Sequence, residues 1–122
     1  MTMEIASPKK AKKFFEAKTN FTTGPAELNQ MLKRRENINI VDVRAPDDYT
    51  KGHIPGAINL PKERWEAHTG LNKEKTNVVY CYSEECHLAA NAAKDFADKG
   101  FPVMELEGGI ESWKKYDMPI EE

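Results

Sequence analysis

Apolar side chains recur at helical spacing in some stretches of this chain and run almost unbroken in others. Ser7-Pro8 sets a capping hydroxyl before a proline at a first helical position. Ala11, Phe14, Phe15 and Lys18 follow at i, i+3, i+4 and i+7, which predicts a helix over 8–18 that packs on the domain through a narrow apolar stripe. Gly24-Pro25 opens a second helix, with Glu27 in its first turn and Leu28, Met31 and Leu32 on its buried face. Asn37–Val43 reads as a strand, β-branched and nearly continuous in its second half, as in a strand covered on both faces. Ala45-Pro-Asp-Asp48 breaks it and starts a short helix through Tyr49.

Ala57–Leu60 reads as a short strand between turn signals. Positions 61–77 are mostly polar, anchored by Trp65 and Leu71. Asn77–Cys81 is a second strong strand. Leu88–Lys99 is a helix with Leu88, Ala89, Ala92, Ala93, Phe96 and Ala97 on one face and Gly100 just past its end. Phe101–Leu106 is a further strand, and Gly108-Gly109 turns into a last helix carrying Ile110 and Trp113. The alternation of strand and helix predicts an α/β fold with a mostly parallel sheet.

Composition narrows the function classes. The 122 residues are 39% hydrophobic, enough for one core. With 18 Lys+Arg against 20 Asp+Glu the net charge is -2, so the basic excess of a nucleic-acid binder is missing. No run approaches the roughly 18–20 apolar residues of a membrane span, and the first residues lack the pattern of a secretory signal. Two cysteines make no disulfide scaffold, so a reducing cytoplasm is the expected compartment.

One of those cysteines, Cys81, ends an apolar strand and precedes the polar stretch Tyr82-Ser-Glu-Glu-Cys-His87 and then a helix. Open α/β sheets place their sites beyond the carboxyl ends of strands. Unpaired backbone N–H groups in such a loop and at the helix start favour an anion, so a cysteine there is expected as a thiolate nucleophile. The plainer alternative is a buried packing cysteine.

Three segments together resemble the single-domain rhodanese, or sulfurtransferase, family. They are Val41-Asp-Val-Arg44 leading into Tyr49-Thr-Lys-Gly-His-Ile-Pro-Gly-Ala-Ile-Asn-Leu-Pro61, the strand Val78-Val-Tyr-Cys81 with the loop after it, and Leu106-Glu-Gly-Gly-Ile-Glu-Ser-Trp113. The resemblance covers about 25–119. It implies a three-layer α/β/α fold around a five-stranded, mostly parallel sheet, with 21–122 as one domain and 1–20 as a helical extension. It also implies a two-step transfer in which Cys81 takes a sulfur as a persulfide and a thiol acceptor removes it, with no metal or organic cofactor. The loop amides from Tyr82 through Ser83, Glu84, Glu85, Cys86 and His87 would cradle donor and persulfide. Asp42 and Arg44 are expected to pair or to cap backbone beside this face. His53 is expected to hold a turn, Gly56 and Gly109 to allow tight turns, and Trp113 to sit in the core.

The chain departs from the family pattern in its loop. Cys81 to Gly100 spans 19 residues, about two more than usual, so the usual six-residue loop is expected to be lengthened. Glu84 and Glu85 would oppose a dianion such as thiosulfate and raise a thiolate's pKa, unless they are solvent-facing charges at the next helix's start. A small-molecule or protein persulfide is therefore the expected donor. Cys86 could resolve a Cys81 persulfide as a disulfide or simply pack, which leaves a non-catalytic binding or redox-sensor module as the alternative. His87 stands where rhodanese-fold phosphatases carry Arg, and it cannot supply that side chain's bidentate grip on phosphate. The helix before the matched region could cover a sheet edge or make a homodimer contact. Neither nucleic acid nor membrane is an expected partner.

Overall fold

The structure, a computed structural model, describes residues 5–122. The first four positions of the expected extension, and with them most of the segment read for a secretory signal, lie outside the described residues. The elements in order are α1 (Pro8–Phe21), β1 (Thr22–Thr23), α2 (Pro25–Lys33), β2 (Ile38–Asp42), α3 (Pro46–Lys51), β3 (Ile58–Asn59), a 3-10 helix (Lys62–Ala67), β4 (Thr76–Tyr80), α4 (Leu88–Asp98), β5 (Val103–Leu106) and α5 (Gly109–Lys115). The five strands form one sheet in the order β1-β5-β4-β2-β3, and every pair is parallel. Among the described residues no helix is long and apolar enough to cross a membrane.

The unbroken apolar runs predicted strands covered on both faces, and the packing explains why. Along β4, Val78 and Tyr80 join a core with Leu28, Ile54, Leu106, Ile110 and Trp113, the side closed by α2 and α5. Val79 and Cys81 point the other way, into a core with Leu60, Ala89, Ala92 and Phe96 under α4. Alternation along a strand thus feeds two apolar layers at once. Each fully buried large side chain contributes roughly 1.5–3 kcal/mol relative to exposure. Trp113 and Phe96 are both fully buried.

Asn77 is a fully buried polar side chain within the sheet. Asn77 Nδ2 donates to the carbonyls of Asn72 (2.7 Å) and Pro102 (2.8 Å), and its Oδ1 accepts from Asn39 Nδ2 (2.9 Å) and the Asn72 amide (3.0 Å). It ties β2, β4 and the segment before β5 together, and its satisfied hydrogen bonds make its burial tolerable.

The stripe predicted for the first helix is overturned. α1 runs on to Phe21 and contains no buried residue, and Phe14 and Phe15 are 62% and 56% exposed. The lysines at 9, 10, 12, 13 and 18 keep the helix solvated on most sides. Only its C-terminal end is fastened, where it leads into β1, which pairs Thr22 and Thr23 with Glu105 and Leu106. Lys18 adds an exposed contact to Glu107 at 4.0 Å. β1 is two threonines, too short and polar to show as a strand pattern. The 3-10 helix at Lys62–Ala67 was likewise hidden in a stretch read only as polar.

Candidate functional site

β4 stops at Tyr80, so Cys81 is the first residue beyond the carboxyl end of a central strand. Its backbone is gripped from α5. The Ile110 amide donates to the Cys81 carbonyl and the Glu111 amide to the Tyr82 carbonyl, both at 3.0 Å. These are N–H groups of a helix's first turn, which lack partners inside the helix. The approach needs Gly109. Its φ is +58°, and a Cβ there would lie 2.5 Å from the Cys81 carbonyl oxygen. The neighbouring Gly108 has φ +80° and would press a Cβ into Ser112 at 2.4 Å. The tight turn expected at Gly109 is thus a close passage of one backbone over another.

Tyr82–His87 then crosses to α4. With Cys81 they make seven residues between the end of β4 and the start of α4. The Cys86 amide donates to the Ser83 carbonyl at 3.1 Å, closing a turn with Glu84 and Glu85 at its corner. Both glutamates are exposed, Ser83 and Cys86 are half-buried, and His87 is exposed at the start of α4. His87 gives that helix no side-chain cap. The Tyr82 side chain acts as a latch. Its hydroxyl donates to Asp48 Oδ2 at 2.6 Å and accepts from the Ala45 amide at 3.3 Å, fastening the loop to the start of α3.

Cys81 and Cys86 face each other across the turn. The Cys81 thiol is buried at 2% exposure and its Sγ–H is directed at the Cys86 carbonyl oxygen, 3.4 Å away. Burial, first, and hydrogen bonding with Cys86, second, push its pKa up to about 12, against the pull of the Ala89 and Tyr82 amides. The expectation of a resting Cys81 thiolate is therefore corrected: in this arrangement it is a protonated thiol, because desolvation outweighs the amide field. Cys86 goes the other way. Burial opposes its ionisation, but the hydrogen bond from Cys81 and the amides of Leu88, Tyr82 and Ala89 bring its pKa below the ordinary value. The amides that address sulfur thus come from Tyr82 and from the first turn of α4, rather than from the whole stretch Tyr82–His87.

Asp42 and Arg44 pair, as one of the two expected roles had it. Arg44 Nε lies 3.1 Å from both carboxylate oxygens of Asp42, its terminal nitrogen donates to Oδ2 at 2.7 Å, and its amide donates to Oδ1 at 2.9 Å. The guanidinium also reaches the Gly52 carbonyl at 2.6 Å, and the Tyr80 hydroxyl donates to Asp42 Oδ2 at 2.7 Å while accepting from the Ile54 amide at 3.2 Å. Arg44 lies against the rings of Tyr80 and Tyr82, 5.8 Å from each centroid. The pair therefore supports the residues on either side of Cys81 and does not reach sulfur among the contacts formed. Tyr80 and Asp48 complete this support. Sequence reasoning missed both, since a tyrosine in a buried run reads as core and an aspartate before a helix as a turn residue.

His53 holds a turn as expected. Its Nδ1–H donates to the Tyr49 carbonyl at 2.9 Å, its ring stacks on Tyr49 at 3.9 Å, and its backbone pairs with Glu121. Among the described residues no three His, Cys, Asp or Glu side chains group so as to hold a metal ion.

The same fold recurs in other proteins. A solved structure from Bacillus halodurans superimposes with a TM-score of 0.85 at 37% identity, covering 94% of this chain and 86% of that one. A thiosulfate sulfurtransferase of Coxiella burnetii is 34% identical over 92 residues, 74% of this chain and 83% of that protein. An HTH-type transcriptional regulator of Mycobacterium tuberculosis is 35% identical over 96 residues, 76% of this chain. The chain spans only about half the length of some curated relatives, 42% of that regulator and 56% of a Synechocystis protein. The rhodanese-like domain family model matches residues 24–116, from the turn before α2 to the end of α5 and across the whole site, and the chain belongs to that family.

Proposed function

We propose that this chain is a sulfurtransferase that moves a sulfane sulfur through a persulfide on Cys81 to a thiol acceptor. The observation that carries this reading is the position of the Cys81 sulfur, at the carboxyl end of β4 and within reach of the Tyr82 and Ala89 amides. Such donors are set to hold an anionic persulfide. The Coxiella relative's activity supports the same chemistry. In the reaction a thiolate attacks the outer sulfur of a donor R–S–SH, the donor's S–S bond breaks, and R–S⁻ leaves with the electron pair. The acceptor thiolate then removes the outer sulfur. In the closed loop, the Cys86 carbonyl must turn away from Cys81 before a persulfide fits.

A persulfide, small or protein-borne, fits this loop better than thiosulfate. The turn presents the exposed Glu84 and Glu85, and two carboxylates disfavour a second dianion. Two working thiols also suit a reducing, cytoplasmic setting. Incubation with glutathione persulfide and with thiosulfate, followed by intact mass, tests the proposal. A gain of one sulfur atom with the persulfide, residing on Cys81 once loading is complete, is expected. No gain with any donor would refute it.

A second reading has its own observation, the hydrogen-bonded pair of thiols. The fold would then serve as a redox-sensing or binding module, a use that the resemblance to a regulator supports. Mild peroxide would remove two hydrogens from the intact mass, and Cys86→Ser would abolish that change. Unchanged mass would exclude this reading.

A further inference from the structure

The two sulfurs differ in access and in hydrogen-bond direction. Cys81 is closed off by the carbonyl of Cys86, 3.4 Å from its Sγ, while Cys86 is half-buried at the outer end of the turn. The Cys86 pKa is lowered and that of Cys81 is raised, so Cys86 is the more readily ionised of the two. The amides of Leu88 and Ala89, in a helix turn that no side chain caps, face the Cys86 sulfur together with the Tyr82 amide and favour its anion. A donor arriving from solvent meets the accessible sulfur of Cys86 before the enclosed one of Cys81.

We infer that Cys86 is the first nucleophile, receiving the donor's outer sulfur and handing it to Cys81. This rests on the sulfur-transfer reading and assigns its entry point. In the first step Cys86–S⁻ attacks the outer sulfur of R–S–SH, the donor S–S bond breaks, and R–S⁻ departs, giving Cys86–S–SH. R–S⁻ takes up the proton that Cys81 releases, directly or through solvent. In the second step the Cys81 thiolate attacks the outer sulfur of Cys86–S–SH, which forms Cys81–S–SH and regenerates Cys86–S⁻. The sum converts R–S–SH and Cys81–SH into R–SH and Cys81–S–SH, with no net oxidation and no further reactant. Cys86 lowers the barrier by exposing the sulfur with the larger thiolate fraction of the two, since nucleophilic attack scales with that fraction.

The test is single-turnover loading with glutathione persulfide at neutral pH, quenched by alkylation, with fragment mass spectra assigning the added sulfur. In the wild type the sulfur is expected on Cys86 at the earliest times and on Cys81 later. Cys81→Ser should keep it on Cys86, and Cys86→Ser should load Cys81 about tenfold more slowly or worse. Loading of Cys81 in Cys86→Ser at the wild-type rate would overturn the inference. So would a wild-type time course in which Cys86 never carries sulfur, a measurement that needs no variant to fold. If none of the three proteins gains sulfur, the sulfur-transfer reading itself fails, which is a different result from loading on Cys81 alone.

Discussion

Replacing Gly109 with alanine tests how the site is held. Two effects act together. A residue with a Cβ at φ +58° is destabilised by roughly 1–2 kcal/mol. The new Cβ would also lie 2.5 Å from the Cys81 carbonyl oxygen, 2.9 Å from the Tyr82 carbonyl carbon and 3.0 Å from the Cys81 carbonyl carbon. All three are backbone atoms, so no side chain can swing away. Relief requires α5 to retreat, which lengthens the Ile110 and Glu111 amide bonds to the loop, each worth about 0.5–1.5 kcal/mol net. The expected loss is about 2–5 kcal/mol. Gly56→Ala is the control, because its φ is +82° but nothing lies within 4 Å of its Cβ; only the conformational part, roughly 1–2 kcal/mol, applies. Urea unfolding of the three proteins measures the difference. If Gly109→Ala proved no more destabilising than Gly56→Ala, the close passage over Cys81 would not be what requires glycine.

Asp42→Asn leaves Arg44 buried without its carboxylate and should reduce stability by about 3–5 kcal/mol in a urea titration. Phe14→Ser and Phe15→Ser should each shift stability by no more than about 0.5 kcal/mol, since both rings are exposed; a loss of several kcal/mol would restore the packed stripe that the sequence suggested. Burial, first, and Glu107, second, raise the pKa of the Glu105 carboxyl. A raised acid contributes its stability at low pH and loses it as pH climbs through the folded value. Glu105→Gln should therefore raise the melting temperature at neutral pH, and the gain should shrink as the medium is made acid enough to protonate the carboxylate.

The sheet was legible because its strands are covered on both faces, so β2 and β4 appear as apolar runs that need no partner to be recognised. α4 was legible for the complementary reason: Ala89, Ala92 and Phe96 face a single layer and repeat at helical spacing. β1 was not, because two threonines at a sheet edge carry no periodicity and owe their conformation to β5. α1 misled because Phe14 and Phe15 have the right spacing, yet nothing in a spacing says whether a layer is present to receive it. At the site, the position of Cys81 followed from the strand pattern, whereas its protonation did not. That depends on whether desolvation or the amide dipoles win at one sulfur, and on a second cysteine five positions on in the chain.

Two helix N-termini converge on the end of β4, and they are used differently. α5 directs its free amides at the carbonyls of Cys81 and Tyr82, a neutral pairing that fixes the backbone where the strand ends. α4 has no side-chain cap, and its free amides face the cysteine sulfurs. An N-terminus that already satisfies a carbonyl has little left for an anion, so the chemistry belongs to the α4 side. The fixed carbonyl on one side and the uncapped helix on the other leave the segment between Ser83 and Cys86 as the part able to rearrange. Its turn is closed by the single Cys86 amide bond to Ser83. Opening that turn withdraws the Cys86 carbonyl from Cys81 without disturbing α5.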